Sequence, residues 1–267
     1  MRRNITGFSN PTVKLLRSLR EKKFRKREGL FLAEGLRLLT DALECGHIPR
    51  MLVMAEGRDP HPLLDALENS VNAHGGEIIE TSQDILAKIT GKENPQAVCG
   101  VFDEFDTSIG RIDRDAAPIW LVAQAMRDPG NLGTMLRTGD AIGAGGLILL
   151  DDCVDPFSVE AVRASMGAIF TQRLATARWD EFVAWLRSGP GQLVAASLRD
   201  SQPYRRAPYA APCFVMVGNE SRGLPEEYEL ACDLRVTMPM LGRADSLNAA
   251  VAGAVLGYEV LAALRPE

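Results

Sequence analysis

Val217-Gly-Asn-Glu-Ser-Arg-Gly-Leu224 decides how this chain is read. The apolar run Phe214 to Val217 stops abruptly at glycine, asparagine and glutamate, the composition of a buried strand emptying into a loop. Glu220, immediately beyond that strand, is a poor place for a carboxylate with nothing to hold. Gly218 and Gly223 let backbone approach a ligand closely. Two further segments repeat the design on either side. Asp128-Pro-Gly-Asn-Leu-Gly-Thr-Met-Leu-Arg137 follows the apolar run Ile119 to Ala123, and Met238-Pro-Met-Leu-Gly-Arg-Ala-Asp-Ser-Leu-Asn248 follows Leu234 to Met238. Each puts Gly, Asn, Ser or a charged residue between a strand and a helix, where open α/β sheets build their sites.

More apolar runs, Leu147 to Leu150 and Leu193 to Ala196, alternate with helical stretches, so the second half reads as a parallel sheet covered on both faces. Its last helix begins near Ser246 and carries Leu247, Val251, Ala254, Val255 and Tyr258 on one face. Small residues along it (Ala249, Ala250, Ala252, Gly253, Gly257) permit close approach of another helix, within the chain or across a dimer interface. The first hundred residues read as a smaller α/β layer. A helix is expected over Pro11 to Arg27, opened by Ser9-Asn10-Pro11, and another over Gly35 to Cys45. Strands are expected at Leu30 to Ala33, Met51 to Met54, Glu77 to Glu80 and Val98 to Phe102. Asp103 to Pro118 is polar and weakly periodic. The expected division is therefore an N-terminal domain over 1–105, a linker over 106–117 and a second domain over 118–267.

Composition removes several classes of function. The chain of 267 residues is 46% hydrophobic and 24% charged, an ordinary globular balance, with no apolar run long enough for a bilayer. Its five cysteines are odd in number and scattered without a CxxC pair, which suggests neither a zinc site nor a disulfide framework and suits a reducing cytoplasm. All three histidines (His47, His61, His74) precede the second domain, so chemistry there proceeds without imidazole. No GxxxxGK[ST] loop is present. The glycines from Gly139 to Gly146 follow a helix and precede a strand, the reverse of a dinucleotide fingerprint, and read as a helix end and turn.

Charge is distributed unevenly. Ten basic residues against Glu21 and Glu28 give Met1 to Leu30 a net +8, which leaves −13 on the rest of a chain that totals −5. A basic segment on an acidic body is the asymmetry expected of a phosphate-contacting protein, although a solvated helical arm accounts for the same run. In the motifs, Asn131 is read as a helix cap or a substrate-holding amide, and Arg137 as a surface residue or a phosphate fork. Glu220 either anchors its loop through backbone N–H groups or orients neighbouring side chains. Ser246 suits the N-cap of the last helix, while Asn248 is less easily explained by structure alone.

In their order and spacing, Asn-x-Gly-x-x-x-Arg, Gly-x-Glu-x-x-Gly and Pro-x-x-Gly-x-x-x-Ser-Leu-Asn resemble the motifs of the SpoU/TrmH branch of the SPOUT methyltransferases, from about Pro118 to the C-terminus. The N-terminal half resembles, more weakly, the substrate-binding domain of rRNA-directed members, with its likeness to ribosomal-protein RNA-binding domains. The residues that carry this are Ser9-Asn10-Pro11, Lys14, Lys22-Lys23, Phe31, Glu34-Gly35 and Asn94-Pro95-Gln96. Gly139 and Ala249 stand where the family commonly has Ala and Val, and neither removes a functional group.

The resemblance implies an α/β fold with a deep trefoil knot, which pattern reading does not yield. It implies S-adenosylmethionine as cofactor, held in the knotted loops by Ser197, Leu198, Gly218, Asn219, Glu220, Gly223, Met238, Met240, Ser246 and Leu247. It further implies a catalytic set of Asn131, Arg137, Glu220, Ser246 and Asn248, no metal, and a homodimer. RNA contacts are expected from Lys14, Arg17, Lys22, Lys23, Arg25 and Arg137. The expected activity is ribose 2′-O-methylation of RNA, with rRNA favoured over tRNA. Rival readings are a tRNA 2′-O-methyltransferase, a base methyltransferase, a small-molecule methyltransferase, and a non-enzymatic RNA-binding or ribosome-assembly protein on the same fold. The Ser-Leu-Asn motif favours ribose over base, and the basic N-terminus disfavours a small-molecule substrate.

Overall fold

A computed structural model describes Arg2 to Arg265. The chain forms two compact units, one of residues 1–105 with 155–171, the other of residues 106–154 with 172–267.

The first unit contains β1 (Arg2–Ile5), α1 (Pro11–Ser18), α2 (Lys22–Glu28), β2 (Leu30–Glu34), α3 (Leu36–Glu44), β3 (Met51–Ala55), α4 (Pro62–Ala73), β4 (Glu77–Thr81), α5 (Gln83–Thr90) and β5 (Val98–Asp103). Its five strands run in the order β1-β4-β3-β5-β2, with β5 antiparallel to both neighbours. The single helix expected over Pro11 to Arg27 is two helices. Asn10 caps α1 by accepting from Thr12 N–H, and Leu19 closes it; Glu21, in extended backbone, starts α2. Gly29 stops α2 at φ 65°, a left-handed turn that glycine adopts without a Cβ clash. One face of the sheet buries Val13, Leu16, Leu19, Leu32, Val53 and Ile79.

The segment 155–171, with α7 (Val159–Ala164) and α8 (Ala168–Thr171), belongs to this unit although it lies between two strands of the other. Phe157 and Phe170 sit 5.0 and 6.2 Å from Phe31, ring centre to ring centre, in an aromatic cluster with Phe102 and Phe105. Arg163 reaches Glu34 at 2.8 Å. Nothing in the periodicity of residues 155–171 announces this allegiance.

The second unit contains β6 (Ile119–Gln124), α6 (Pro129–Ala141), β7 (Gly146–Leu150), β8 (Arg173–Ala177), α9 (Trp179–Arg187), β9 (Gln192–Ala196), β10 (Gln202–Pro203), β11 (Cys213–Val217), α10 (Glu226–Leu230), β12 (Leu234–Thr237) and α11 (Ala249–Leu264). Its sheet is parallel throughout, in the order β10-β12-β9-β11-β6-β7-β8. The apolar runs therefore become strands as expected, and β1, β8 and β10 are additions that pattern reading passed over. Because β12, β9, β11 and β6 are contiguous and parallel, the loops after all four leave the same edge of the sheet. That placement builds the site.

Helix α11 begins at Ala249, not near Ser246. Its buried residues are Ala249, Ala250, Ala252, Gly253, Leu256, Gly257 and Val260, whereas Val251 and Tyr258 are exposed. The small residues let α11 press onto α6 and β6: a Cβ on Gly253 would meet Met135 Sδ at 2.6 Å, and one on Gly257 would meet Ile142 at 2.8 Å. Of the residues expected to share one face, Val251 and Tyr258 are thus left to solvent. No helix among the described residues is long and apolar enough to cross a membrane.

Candidate functional site

Three loops meet through side-chain amides. After β6, Asp128 caps α6 by accepting the Asn131 N–H at 2.7 Å, with Pro129 preset for the first turn. This corrects the reading of Asn131 as cap. With its backbone satisfied by Asp128, Asn131 has its side chain free for long-range work: Nδ2 donates to Glu220 Oε1 at 3.0 Å, and Oδ1 accepts from Asn248 Nδ2 at 2.8 Å.

After β11, Asn219 folds the glycine loop. Its Oδ1 accepts from Ser221 N–H and Arg222 N–H, at 3.0 and 3.1 Å, and its Nδ2 donates to the Ala125 carbonyl at 2.8 Å. Glu220 then faces the start of α6, accepting from Asn131 and, at 3.4 Å each, from the Arg127 and Asp128 N–H groups. Partial burial raises the Glu220 pKa. The Asn131 amide and the backbone N–H groups more than offset this and hold its carboxyl below the usual value. Glu220 thus accepts from backbone N–H groups and from the Asn131 side chain together.

After β12, Asn248 is the N-cap of α11, accepting from Ala250 and Val251 N–H at 2.9 and 3.2 Å. The cap expected at Ser246 is therefore Asn248, because Asn248 Oδ1 reaches the orphan amides of the first turn; Ser246 is exposed. The outcome is a relay, Glu220–Asn131–Asn248, joining all three motifs.

Beside it lies a cavity of about 420 Å³. Ser197, Leu198, Gly218, Asn219, Glu220, Gly223, Met238, Met240, Ser246 and Leu247 all line it. Ser197 is buried at the end of β9, and its hydroxyl donates to Glu229 Oε1 at 2.7 Å. Arg199, Arg222 and Asp245, within the loops expected to hold the cofactor, also line the cavity, as does Glu229, which was not expected there. Glu229 sits among Glu226 and Glu227 on a short helix, where a solvated acidic face is the natural reading. Only its approach to Ser197, 32 residues earlier, reveals its position.

Arg137 lies six residues beyond Asn131, about 9 Å along α6. It is exposed, forms no salt bridge among the described residues, and neither lines the cavity nor joins the relay. Lys14, Arg17, Lys22 and Lys23 are exposed on α1 and α2 of the first unit. Arg25 is not, which corrects its assignment to RNA contact. It is 2% exposed, donates to Asp155 Oδ2 at 2.7 Å and to the Leu19 carbonyl at 2.7 Å, and so holds the turn between α1 and α2. Among the described residues no group of three or more His, Cys, Asp or Glu is placed to hold a metal ion.

The model of the SpoU rRNA methylase family matches residues 118–258, and that of the MRM3-like substrate-binding domain matches residues 10–100. A relative from Bacillus subtilis (strain 168), the 23S rRNA (guanosine(2553)-2′-O)-methyltransferase RlmP, is 30% identical over 97% of this chain and 99% of its own. The AdoMet-bound rRNA methyltransferase of Sinorhizobium meliloti superimposes with a TM-score of 0.92 at 37% identity, over 99% of both chains. The SpoU methyltransferase AviRb of Streptomyces viridochromogenes, in complex with AdoMet, gives 0.86 at 26% identity, over 96% of this chain and 98% of its own.

Proposed function

The chain belongs to the SpoU rRNA methylase family, and we propose that it methylates a ribose 2′-hydroxyl of rRNA with S-adenosylmethionine as donor, at the loops gathered on the β6–β11–β9–β12 edge. The observation that carries this reading is the Glu220–Asn131–Asn248 relay, which ties three separate motifs together beside the cavity that Glu220 lines.

The residues present fit the cofactor. The cavity is within the ~300–1,000 Å³ range of small-molecule sites. Apolar Val217, Leu224 and Val236 line it beside Gly218 and Gly223, whose bare backbone suits an adenosine moiety, and a buried carboxylate oxygen of Glu229 has no hydrogen-bond donor. When bound, S-adenosylmethionine supplies a sulfonium methyl that is already electrophilic, so the difficulty is to align and deprotonate a weakly acidic hydroxyl.

The Asn131 side chain is fixed by two hydrogen bonds and that of Asn248 by three, and together they present a rigid polar surface at which a ribose is oriented. Ser246, on the cavity rim, is placed to hold the same sugar. Arg137 is free to grip a substrate phosphate through its planar fork. It does not serve as the base, because a guanidinium offers hydrogen-bond donors and no acceptor. A phosphate oxygen of the substrate, fixed by Arg137, takes the hydroxyl proton. Glu220, ionised and acceptor-only, keeps the Asn131 amide pointed.

Several features support the finer assignments. The match over residues 10–100 favours rRNA over tRNA, and exposed Lys14, Arg17, Lys22 and Lys23 suit phosphates. Exposed Leu247, Val251 and Tyr258 form an apolar stripe beside the site, which supports pairing of two copies along α11. No disulfide joins any of the five cysteines among the described residues, which suits a reducing cytoplasm.

The test is transfer of labelled methyl from S-adenosylmethionine to rRNA and tRNA lacking native methylation, wild type beside Arg137→Ala, with digestion to nucleosides. Label in a 2′-O-methyl nucleoside of rRNA, lost in the variant, supports the proposal. Label on a base, label in tRNA alone, or full turnover by the variant overturns the corresponding part.

A further inference from the structure

The cavity holds a second carboxylate that the reaction as described does not use. Glu229, on α10, is 7% exposed and lines the cavity with Ser197 and Gly218. Its Oε1 accepts the Ser197 hydroxyl at 2.7 Å, and Ser197 in turn accepts the Arg199 N–H at 3.0 Å, so the β9 loop fixes the side chain. Oε2 is buried and has no hydrogen-bond donor. Arg199 Nε stands 3.5 Å away, close enough for charge attraction but outside hydrogen-bond geometry, on a side chain 58% exposed. The other flank of α10 is pinned independently, with Tyr228 stacked on Trp179 at 3.8 Å and bonded to Asp151 at 2.9 Å.

An acceptor-only oxygen, buried at a cavity wall without a hydrogen-bond donor, is costly unless a ligand supplies one. We propose that Glu229 is a cofactor-binding residue whose Oε2 accepts a hydrogen bond from a donor of S-adenosylmethionine. This rests on the cofactor site assigned above. The matching donors are the ribose hydroxyls and adenine amine of the nucleoside, or the ammonium of the methionyl part. A carboxylate completes a bond to any of them, and an amide in its place turns a donor toward a donor or breaks the Ser197 bond.

The experiment is calorimetric titration of wild type and Glu229→Gln with S-adenosylhomocysteine and with 5′-methylthioadenosine, alongside thermal denaturation of both apo proteins. The proposal expects Glu229→Gln to bind S-adenosylhomocysteine at least tenfold more weakly, the loss typical of a bond to a charged acceptor. It also expects an apo Tm at or above wild type, because a buried charge without a hydrogen-bond donor, faced only by the exposed Arg199, has been removed. Equal weakening for both ligands assigns the donor to the nucleoside. Weakening for S-adenosylhomocysteine alone assigns it to the ammonium. Unchanged affinity, or weaker binding accompanied by a fall in apo Tm, overturns the proposal and leaves Glu229 as a tether for Ser197. Failure of wild type to bind either ligand overturns the cofactor site itself, a different result from failure of the variant alone.

Discussion

Asn248 Nδ2 donates to Asn131 Oδ1 at 2.8 Å, joining residues 117 apart, while Asn248 Oδ1 caps α11. One amide thus does two separable jobs. Asn248→Asp keeps the acceptor that caps the helix, and places negative charge where the helix dipole favours it, but loses the donor to Asn131. Its stability should stay within about 0.5 kcal/mol of wild type, while methyl transfer falls roughly 100-fold as the ribose wall loosens. Asn248→Ala should lose the same activity and about 1 kcal/mol besides. Denaturation curves read against single-turnover rates check both, and wild-type rates in Asn248→Asp would remove the relay from the mechanism.

Arg25 and Asp155, both nearly fully buried, form an ion pair across 130 residues. Arg25→Ala leaves a buried carboxylate without its partner and should cost about 3–5 kcal/mol. Arg25→Met with Asp155→Leu should recover most of that loss, since an apolar pair of similar volume often replaces a buried ion pair without penalty. Urea midpoints of the single and double variants decide it. A mild effect from Arg25→Ala would mean the pair does not hold the α1–α2 turn.

Lys14, Arg17 and Lys22 behave oppositely if they meet phosphates, because each is exposed and forms no salt bridge among the described residues. Substitution of any one by Ala should leave Tm unchanged and weaken RNA binding at low salt. Each should also reduce the slope of log affinity against log salt by about 1. A slope that does not change would place the RNA elsewhere on the molecule.

Much of this was legible in the sequence, and the parts that were not share a cause. The central strands β6, β7, β9 and β11 are built on apolar runs, and the site loops announce themselves by glycine and asparagine at strand ends. The ten expected cofactor residues all line one cavity because four contiguous parallel strands point their C-terminal ends the same way. What pattern could not supply was pairing at long range. Arg25 reads as one more cation in a basic run until Asp155 is seen beside it. Glu229 reads as surface until Ser197 is. Asn248 takes the cap expected of Ser246 because Ser, Asn and Asp are comparable caps, and geometry alone chooses among them. The stripe of Val251 and Tyr258 had the correct helical spacing but lies on the exposed side of α11, since the small residues opposite pack more closely onto α6.

Gly218 is held by close approach rather than by dihedral angle. A Cβ there would lie 2.4 Å from the Gly223 carbonyl carbon and 2.5 Å from the Leu224 nitrogen, both backbone atoms. Gly223 differs: φ is +67° with open space around it. Gly218→Ala should therefore cost about 1–3 kcal/mol through overpacking and open the cavity wall. Gly223→Ala should cost about 1–2 kcal/mol of left-handed strain and displace less. Comparative denaturation, with S-adenosylhomocysteine affinity as second readout, checks the ranking. Equal affinities in the two variants would contradict it.

Glu220 gives the site an acid limb of defined sign. Burial alone would raise its pKa, but Asn131 and the backbone N–H groups of the loop hold it below the ordinary glutamate value. A group depressed on folding contributes stability that is fully present above its unfolded pKa and is lost as pH falls through the folded one. The contribution is therefore intact at neutral pH and disappears only below about pH 4.5. Glu220→Gln keeps one acceptor for Asn131 but removes the ionised form, so wild type should be the more stable at neutral pH. The difference in Tm between them should narrow as pH drops below about 4.5. Thermal scans from about pH 3 to 7 would show this convergence. A gap that closes above that range would mean the carboxyl is raised, not lowered, and that Asn131 does not hold it as an anion.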